Sequence, residues 1–245
     1  MADAATPQTP ERTLERGPDG GPLYTETPQE IREGQPYSGT IAEPWNAATA
    51  FLFVVIVVAW LVRLRGRFKD HPFMAVALPI LLVGGIGGTL YHGLRIWRAF
   101  FLMDVIPISV LALMVSIYLW IRLGPKIQHL LSMLAALALI QAFGFWQLPR
   151  HWAINVSYAL LGLLVLIPVA VVLIRTRFRE VGWIATALVA FGIALFCRLA
   201  DAWQPPLLPM GTHWLWHTFG AIATAALSEY VYRLEGVGLR RTPSR

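Results

Sequence analysis

Two histidines stand four residues apart in "GTHWLWHTFGA" (211–221), at the start of an apolar run where imidazole rings are costly. Residues i and i+4 share one face of a helix, so His213 and His217 can offer two ring nitrogens to one ion. A third nitrogen from His92, in "GGTLYHG", makes a three-histidine set and leaves the fourth position of a tetrahedral zinc site open to water. Asp104, in "FFLMDVIP", is the carboxylate that would orient that water or take its proton. Taken alone, such a pair serves equally well to bridge helices by hydrogen bonds, and an Asp at a helix end serves as a cap. What separates these readings is where the surrounding elements place the four residues.

The elements are apolar. Of 245 residues 56% are hydrophobic and only 14% are charged, too apolar for a soluble domain of this size. Runs of about 18–23 residues, the length that crosses a hydrocarbon core, recur at 47–64, 73–92, 101–121, 127–146, 152–174, 181–199 and 212–232. The expected fold is therefore all-α, a bundle of seven transmembrane helices over residues 41–235. Residues 1–40, rich in Pro, Gly and acidic side chains and without an apolar h-region, read as a disordered polar tail. Residues 236–245 read as a basic cytoplasmic tail, and the single Cys197 as a small packing group that excludes an internal disulfide.

The net charge of +6 is a topology signal and gives no reason to expect nucleic acid. "RLRGRFKDH", "RLGPK", "RTRFRE" and "RRTPSR" hold most of the basic residues and fall on one side of an alternately threaded seven-helix chain. The positive-inside rule then sets the amino terminus outside and the carboxyl terminus in the cytoplasm. In that orientation Glu43 and Asn46, His92, Asp104, Asp201, and His213 with His217 all lie in the outer half of the bilayer, on five helices. Ionisable groups within membrane spans usually face the bundle interior and mark a site, and chance would scatter them over both leaflets. His71, His129 and His151 fall in loops and are expected to be solvated, and the tryptophans, Trp216 among them, suit an interfacial belt.

"IAEPWN", "GTLYHG", "LMDVIP", "LADAW" and "HWLWH", in that order between Ile41 and Tyr232, resemble the alkaline ceramidase family. That family belongs to a superfamily of seven-helix hydrolases that includes the adiponectin receptors. The resemblance implies Zn2+ held by His92, His213 and His217, with Asp104 as the catalytic acid–base residue. It also implies hydrolysis of ceramide or a related lipid amide to a fatty acid and a sphingoid base or amine. Two departures stand out. The family's serine four residues before the first histidine is Gly88 here, so Thr89 or Tyr91 would have to help stabilise the oxyanion. The acidic calcium-binding run before the first helix is replaced by "QEIREGQPYSG", and Glu43 alone makes a poor calcium site, which argues against calcium dependence.

Glu43, which could cap the first span, is expected to support the site together with Asn46, Tyr91, Asp201 and Trp216. The glycine run "GGIGG" (84–88) either lets helices approach closely or leaves room for an acyl chain, with close approach favoured. The alternative function is a zinc-containing lipid receptor or binding protein of the adiponectin-receptor type. Retinal is excluded because Lys69 and Lys126 both lie in loops, and haem is disfavoured because the inner half has no facing histidines. Membrane lipids and a lipid amide are the expected partners of an integral multi-pass protein. The bacterial inner membrane is its expected location, with the ER/Golgi or plasma membrane as alternatives.

Overall fold

A computed structural model describes residues 16–124 and 127–235. Among the described residues the regular structure is helical, with no strand and one isolated bridge between Arg16 and Pro22. A single-turn helix, α1 (Gln29–Arg32), precedes α2 (Pro44–Ala50) and α3 (Leu52–Arg63), which abut at Phe51 and run on as one segment. There follow α4 (Pro72–Leu94), α5 (Arg98–Leu123), α6 (Ile127–Gln147), α7 (Arg150–Arg175), α8 (Val181–Ala200) and α9 (His213–Glu235). Local chemistry sets several of their ends. Pro44 and Pro72 occupy first turns, where a missing N–H costs nothing, and Gly124 closes α5 in the left-handed region at φ 75°.

Each apolar run read from the sequence falls on one of these helices or on the α2–α3 pair. Four segments, Pro44–Arg63, Pro72–Leu94, Arg98–Leu123 and Val181–Ala200, are long and apolar enough to cross a membrane by length and composition. Two shorter apolar stretches, Leu131–Gln147 and Leu160–Arg175, lie within α6 and α7. Such helices fit a membrane protein, since each satisfies its own backbone N–H and C=O groups without water. Among the long helices α9 is the least apolar, because it carries two histidines, Glu229 and Arg233.

α4 packs against α5 on one side and α2–α3 on the other; α9 lies between α2–α3 and α8, and α7 joins α5 to α6. The glycine run of α4 makes these contacts close. A Cβ on Gly87 would stand 2.4 Å from the Cβ of Met103, and one on Gly85 would stand 2.9 Å from Val54. The run is thus a helix-contact surface rather than room for a chain. Two apolar clusters fill the end of the bundle away from the three histidines. One joins Leu119 of α5, Val172 of α7, Ile184 of α8 and Val231 of α9, and the other joins Val57 and Leu64 near the end of α3 to Met74 and Leu78 of α4.

Two expectations need correction. The tail boundary at residue 40 does not hold for residues 16–40: Asp19, Thr27 and Ile31 are buried, and a chain of hydrogen bonds ties this stretch to three helices. Composition misled here because what the stretch buries is polar and charged, paired with groups far along the chain. Residues 1–15 and 236–245, the remainder of the two tails, lie outside the described residues. Of the three remaining histidines, His71 lies between helices as expected but is not solvated, and the other two are not in loops. His129 and His151 lie in the first turns of α6 and α7, and His71 is largely buried against Glu235, with Nδ1 2.9 Å from Oε2.

Candidate metal centre

α4 brings His92 in at its last turn, and α9 brings His213 and His217 in at its first two turns. All three side chains are buried, and each offers a ring nitrogen within 4.8 Å of the others. The Nε2 atoms of His92 and His217 are 3.1 Å apart. A tetrahedral ion with zinc–nitrogen bonds of the usual length holds its donors about 3.3 Å apart, so this pair already stands close to the separation a shared cation sets. Nδ1 of His213 has no hydrogen-bond partner despite its burial. Buried ring nitrogens that face one another or stand unpartnered are what a bound cation satisfies, so the residues present fit a metal ion.

The tautomer of His92 follows from its neighbour. Nδ1 lies 2.6 Å from Oε2 of Glu43, and both side chains are inaccessible to solvent. A carboxylate accepts but does not donate, so Nδ1 carries the proton and Nε2 presents its lone pair to the centre. Glu43 is held in turn. Its Oε1 accepts from the Thr27 hydroxyl at 2.5 Å and from the Arg95 guanidinium at 2.7 Å, and its Oε2 accepts from the Asn46 amide at 3.2 Å. Burial by itself pushes the Glu43 carboxyl up, but the hydrogen bond from His92 and the charge of Arg95 outweigh it and hold the group below the ordinary glutamate range.

Arg95 extends this network to residues 16–28, the strap. Its Nε donates to Oδ2 of Asp19 at 2.6 Å, and its remaining amine donates to Oδ1 of Asp19 at 3.2 Å and to the Pro22 carbonyl at 3.0 Å. Asp19 is presented by the turn "GPDGG", where Gly20 takes φ 78° and the Gly17 N–H donates to the Gly21 carbonyl. Two buried carboxylates therefore meet one guanidinium, and the surplus negative charge lies behind His92. Further along the strap, the Tyr24 ring stacks on His213 with centroids 3.8 Å apart. Burial, reinforced by the charges of Tyr91, Asp104 and Glu43, pushes the Tyr24 phenol well above its ordinary value, so it stays protonated.

Asp201 and Glu26 cap the helices that carry the site. Oδ1 of Asp201 accepts from the backbone N–H of Thr212 at 2.7 Å and of His213 at 3.1 Å, satisfying free donors at the start of α9. Its Oδ2 accepts from the Thr25 N–H at 3.1 Å, so the same carboxylate pins the strap. At α2 the expected capping role of Glu43 is not seen. Glu43 occupies the N-cap position without a side-chain cap bond, and Glu26 accepts instead from the N–H groups of Trp45 and Asn46, at 2.7 and 2.9 Å. Turning Glu43 toward His92 is possible because a second carboxylate does its local work.

Asp104 packs under the face of α4 that bears His92. A Cβ on Gly88, one turn before His92, would come within 2.6 Å of its Oδ1. The Asp104 carboxylate thus fills the space beside Gly88. Thr89 is not brought to the site. Its hydroxyl donates to the Gly85 carbonyl of its own helix at 2.7 Å. Tyr91 is buried, edge-on to His92 and donating to the Pro22 carbonyl at 3.3 Å. Asn46 buttresses Glu43, whereas Trp216 packs against Phe191 and under the Arg198 guanidinium, away from the histidines. The sequence reading missed Asp19, Tyr24, Glu26, Thr27 and Arg95; the turn signal in "GPDGG" was the one local clue. The chain matches no protein-family model and no curated protein.

Proposed function

We propose that the chain is a seven-span membrane hydrolase that cleaves the amide bond of ceramide or a related lipid amide, with zinc held by His92, His213 and His217. The observation that carries this reading is the convergence of three buried imidazoles from α4 and α9, with the tautomer of one fixed by Glu43. The resemblance to alkaline ceramidases supplies the substrate class, and the basic loops supply the orientation, with the amino terminus outside. A location in the bacterial inner membrane belongs to the same reading.

When bound, zinc would lower the pKa of water and polarise the amide carbonyl. The protein's own part is to place and protonate. Asp104, beneath the His92 face, is the carboxylate positioned to take a proton from the attacking water and return it to the leaving amine. Tyr24, protonated and stacked on His213, takes the oxyanion-donor role expected of Thr89 or Tyr91, whose hydroxyls are engaged by the Gly85 and Pro22 carbonyls. A site at one end of the helices suits a lipid whose amide lies near the headgroups and whose tails lie in hydrocarbon.

Elemental analysis and a lipid-amide turnover screen on one detergent-purified preparation test this. Wild type should carry about one zinc per chain and release fatty acid. His217→Ala should lose both, and Asp104→Asn should keep the metal while turnover falls by about 10²–10⁴-fold. Full metal retention in His217→Ala would remove the ligand assignment; undiminished turnover in Asp104→Asn would remove its catalytic role.

A further inference from the structure

We propose that Arg95 is a positioning residue that couples docking of the strap, residues 16–28, to retention of the cation at the three histidines. The inference rests on the metal-site reading above. Arg95 follows the last residue of α4 and takes φ 53°, a left-handed conformation uncommon for non-glycine residues. Its side chain is fully buried, and the guanidinium has one edge on the strap, at Asp19 and Pro22, and another on Glu43. Glu43 in turn sets the proton on His92. One charged group thus joins the strap's carboxylate to the carboxylate that orients a ligand.

The coupling follows from what happens when either side leaves. With the strap undocked, the guanidinium loses Asp19 and Pro22 and is free to turn toward water, taking its hydrogen bond away from Glu43. Glu43 then holds His92 less firmly, and the affinity of the three imidazoles falls. Conversely, without the cation the surplus carboxylate charge behind His92 is unopposed, which weakens the compact arrangement on which the strap docks. Linkage makes the two effects one: the factor by which the cation protects the strap equals the factor by which the docked strap tightens the cation.

The test uses the full chain in detergent micelles with zinc, and with cobalt as a spectroscopic probe. Zinc affinity is measured by chelator competition, and strap docking by hydrogen exchange of residues 16–28 with and without zinc. Arg95→Ala should weaken zinc about 10–100-fold and alter the cobalt absorption bands, as loss of a partner behind a metal ligand does. Millimolar guanidinium ion should restore part of the affinity. Asp19→Asn, which keeps the Arg95–Glu43 pair and guards against a misfolded Arg95→Ala, should weaken zinc several-fold and speed strap exchange. Zinc should slow strap exchange in wild type. If wild type binds zinc while Asp19→Asn binds it equally well and strap exchange ignores the metal, the coupling is overturned and the metal site stands. If wild type binds no zinc, the metal-site reading itself is lost.

Discussion

The two ends of the helix bundle both collect charged side chains, and they do so in opposite ways. Away from the histidines, Glu229 receives Arg63 and Arg233, Arg233 also reaches Glu180 at 3.1 Å, and Glu235 receives His71 and the Phe73 N–H. Two of these three carboxylates, Glu229 and Glu180, meet two guanidinium groups while Glu235 meets His71, and the guanidinium-bearing side chains of Arg63 and Arg233 are 43% and 42% exposed. At the histidine end Arg95 and Glu43 are wholly buried, and two carboxylates, Asp19 and Glu43, meet a single guanidinium. Orphaned neutral groups do not distinguish the ends, since Ser116, Trp120 and Tyr230 also hold unpartnered polar atoms. The difference lies in charge balance and solvent. A balanced, half-wet cluster fastens helices, whereas a dry cluster with surplus negative charge beside three imidazoles is poised for a cation.

The largest effect that sharpens this contrast is expected from Glu43→Ala. It leaves the Arg95 guanidinium and Nδ1 of His92 buried with one partner fewer, and breaking a buried pair in this way costs about 3–5 kcal/mol. Thermal unfolding should show that loss, and bound metal should fall with it. Normal metal content in a folded Glu43→Ala protein would mean that the carboxylate is only a structural brace.

A smaller effect is expected where α4 meets α5. A Cβ on Gly87 would stand 2.6 Å from the backbone carbonyl carbon of Met103, so Gly87→Ala must push α5 away, at about 1–3 kcal/mol. Because Asp104 follows Met103, turnover should fall more than metal content, which depends on α4 and α9. By contrast, Gly192→Ala in α8 meets nothing within 4 Å and should stabilise the helix by about 0.5–1 kcal/mol. If both substitutions act alike, the glycine run is not the spacer that sets Asp104 beneath His92.

What could be read from the sequence follows the same division. The helices were legible because crossing hydrocarbon demands long apolar runs, and the three histidines were legible because they are out of place in such runs. Asp104 was legible for the same reason. The strap was not. Asp19, Tyr24, Glu26 and Thr27 lie in a stretch whose Pro, Gly and acidic content matches a tail, and their partners are Arg95, Asp201 and the start of α2. Arg95 itself sits in "GLRIWRAF", in the short connection between two apolar runs, where nothing in the local pattern marks it. Long-range pairing of polar groups leaves no periodic trace, so three-dimensional placement was needed to find it.

The smallest predicted effect puts the same chemical deletion at the other end. Arg63→Ala removes a guanidinium from Glu229, as Arg95→Ala removes one from Glu43. Glu229, however, keeps the Arg233 Nε at 2.7 Å, and the Arg63 side chain is already partly exposed to water. Stability should therefore fall by no more than about 1 kcal/mol, part of it from the lost stacking on Trp60 and Tyr232, and zinc affinity should not change. The measurement is the pair of unfolding curves and zinc titrations for Arg63→Ala and Arg95→Ala side by side. Equal losses of zinc in the two would show that charge anywhere in the bundle, and not the unbalanced dry cluster, governs the site.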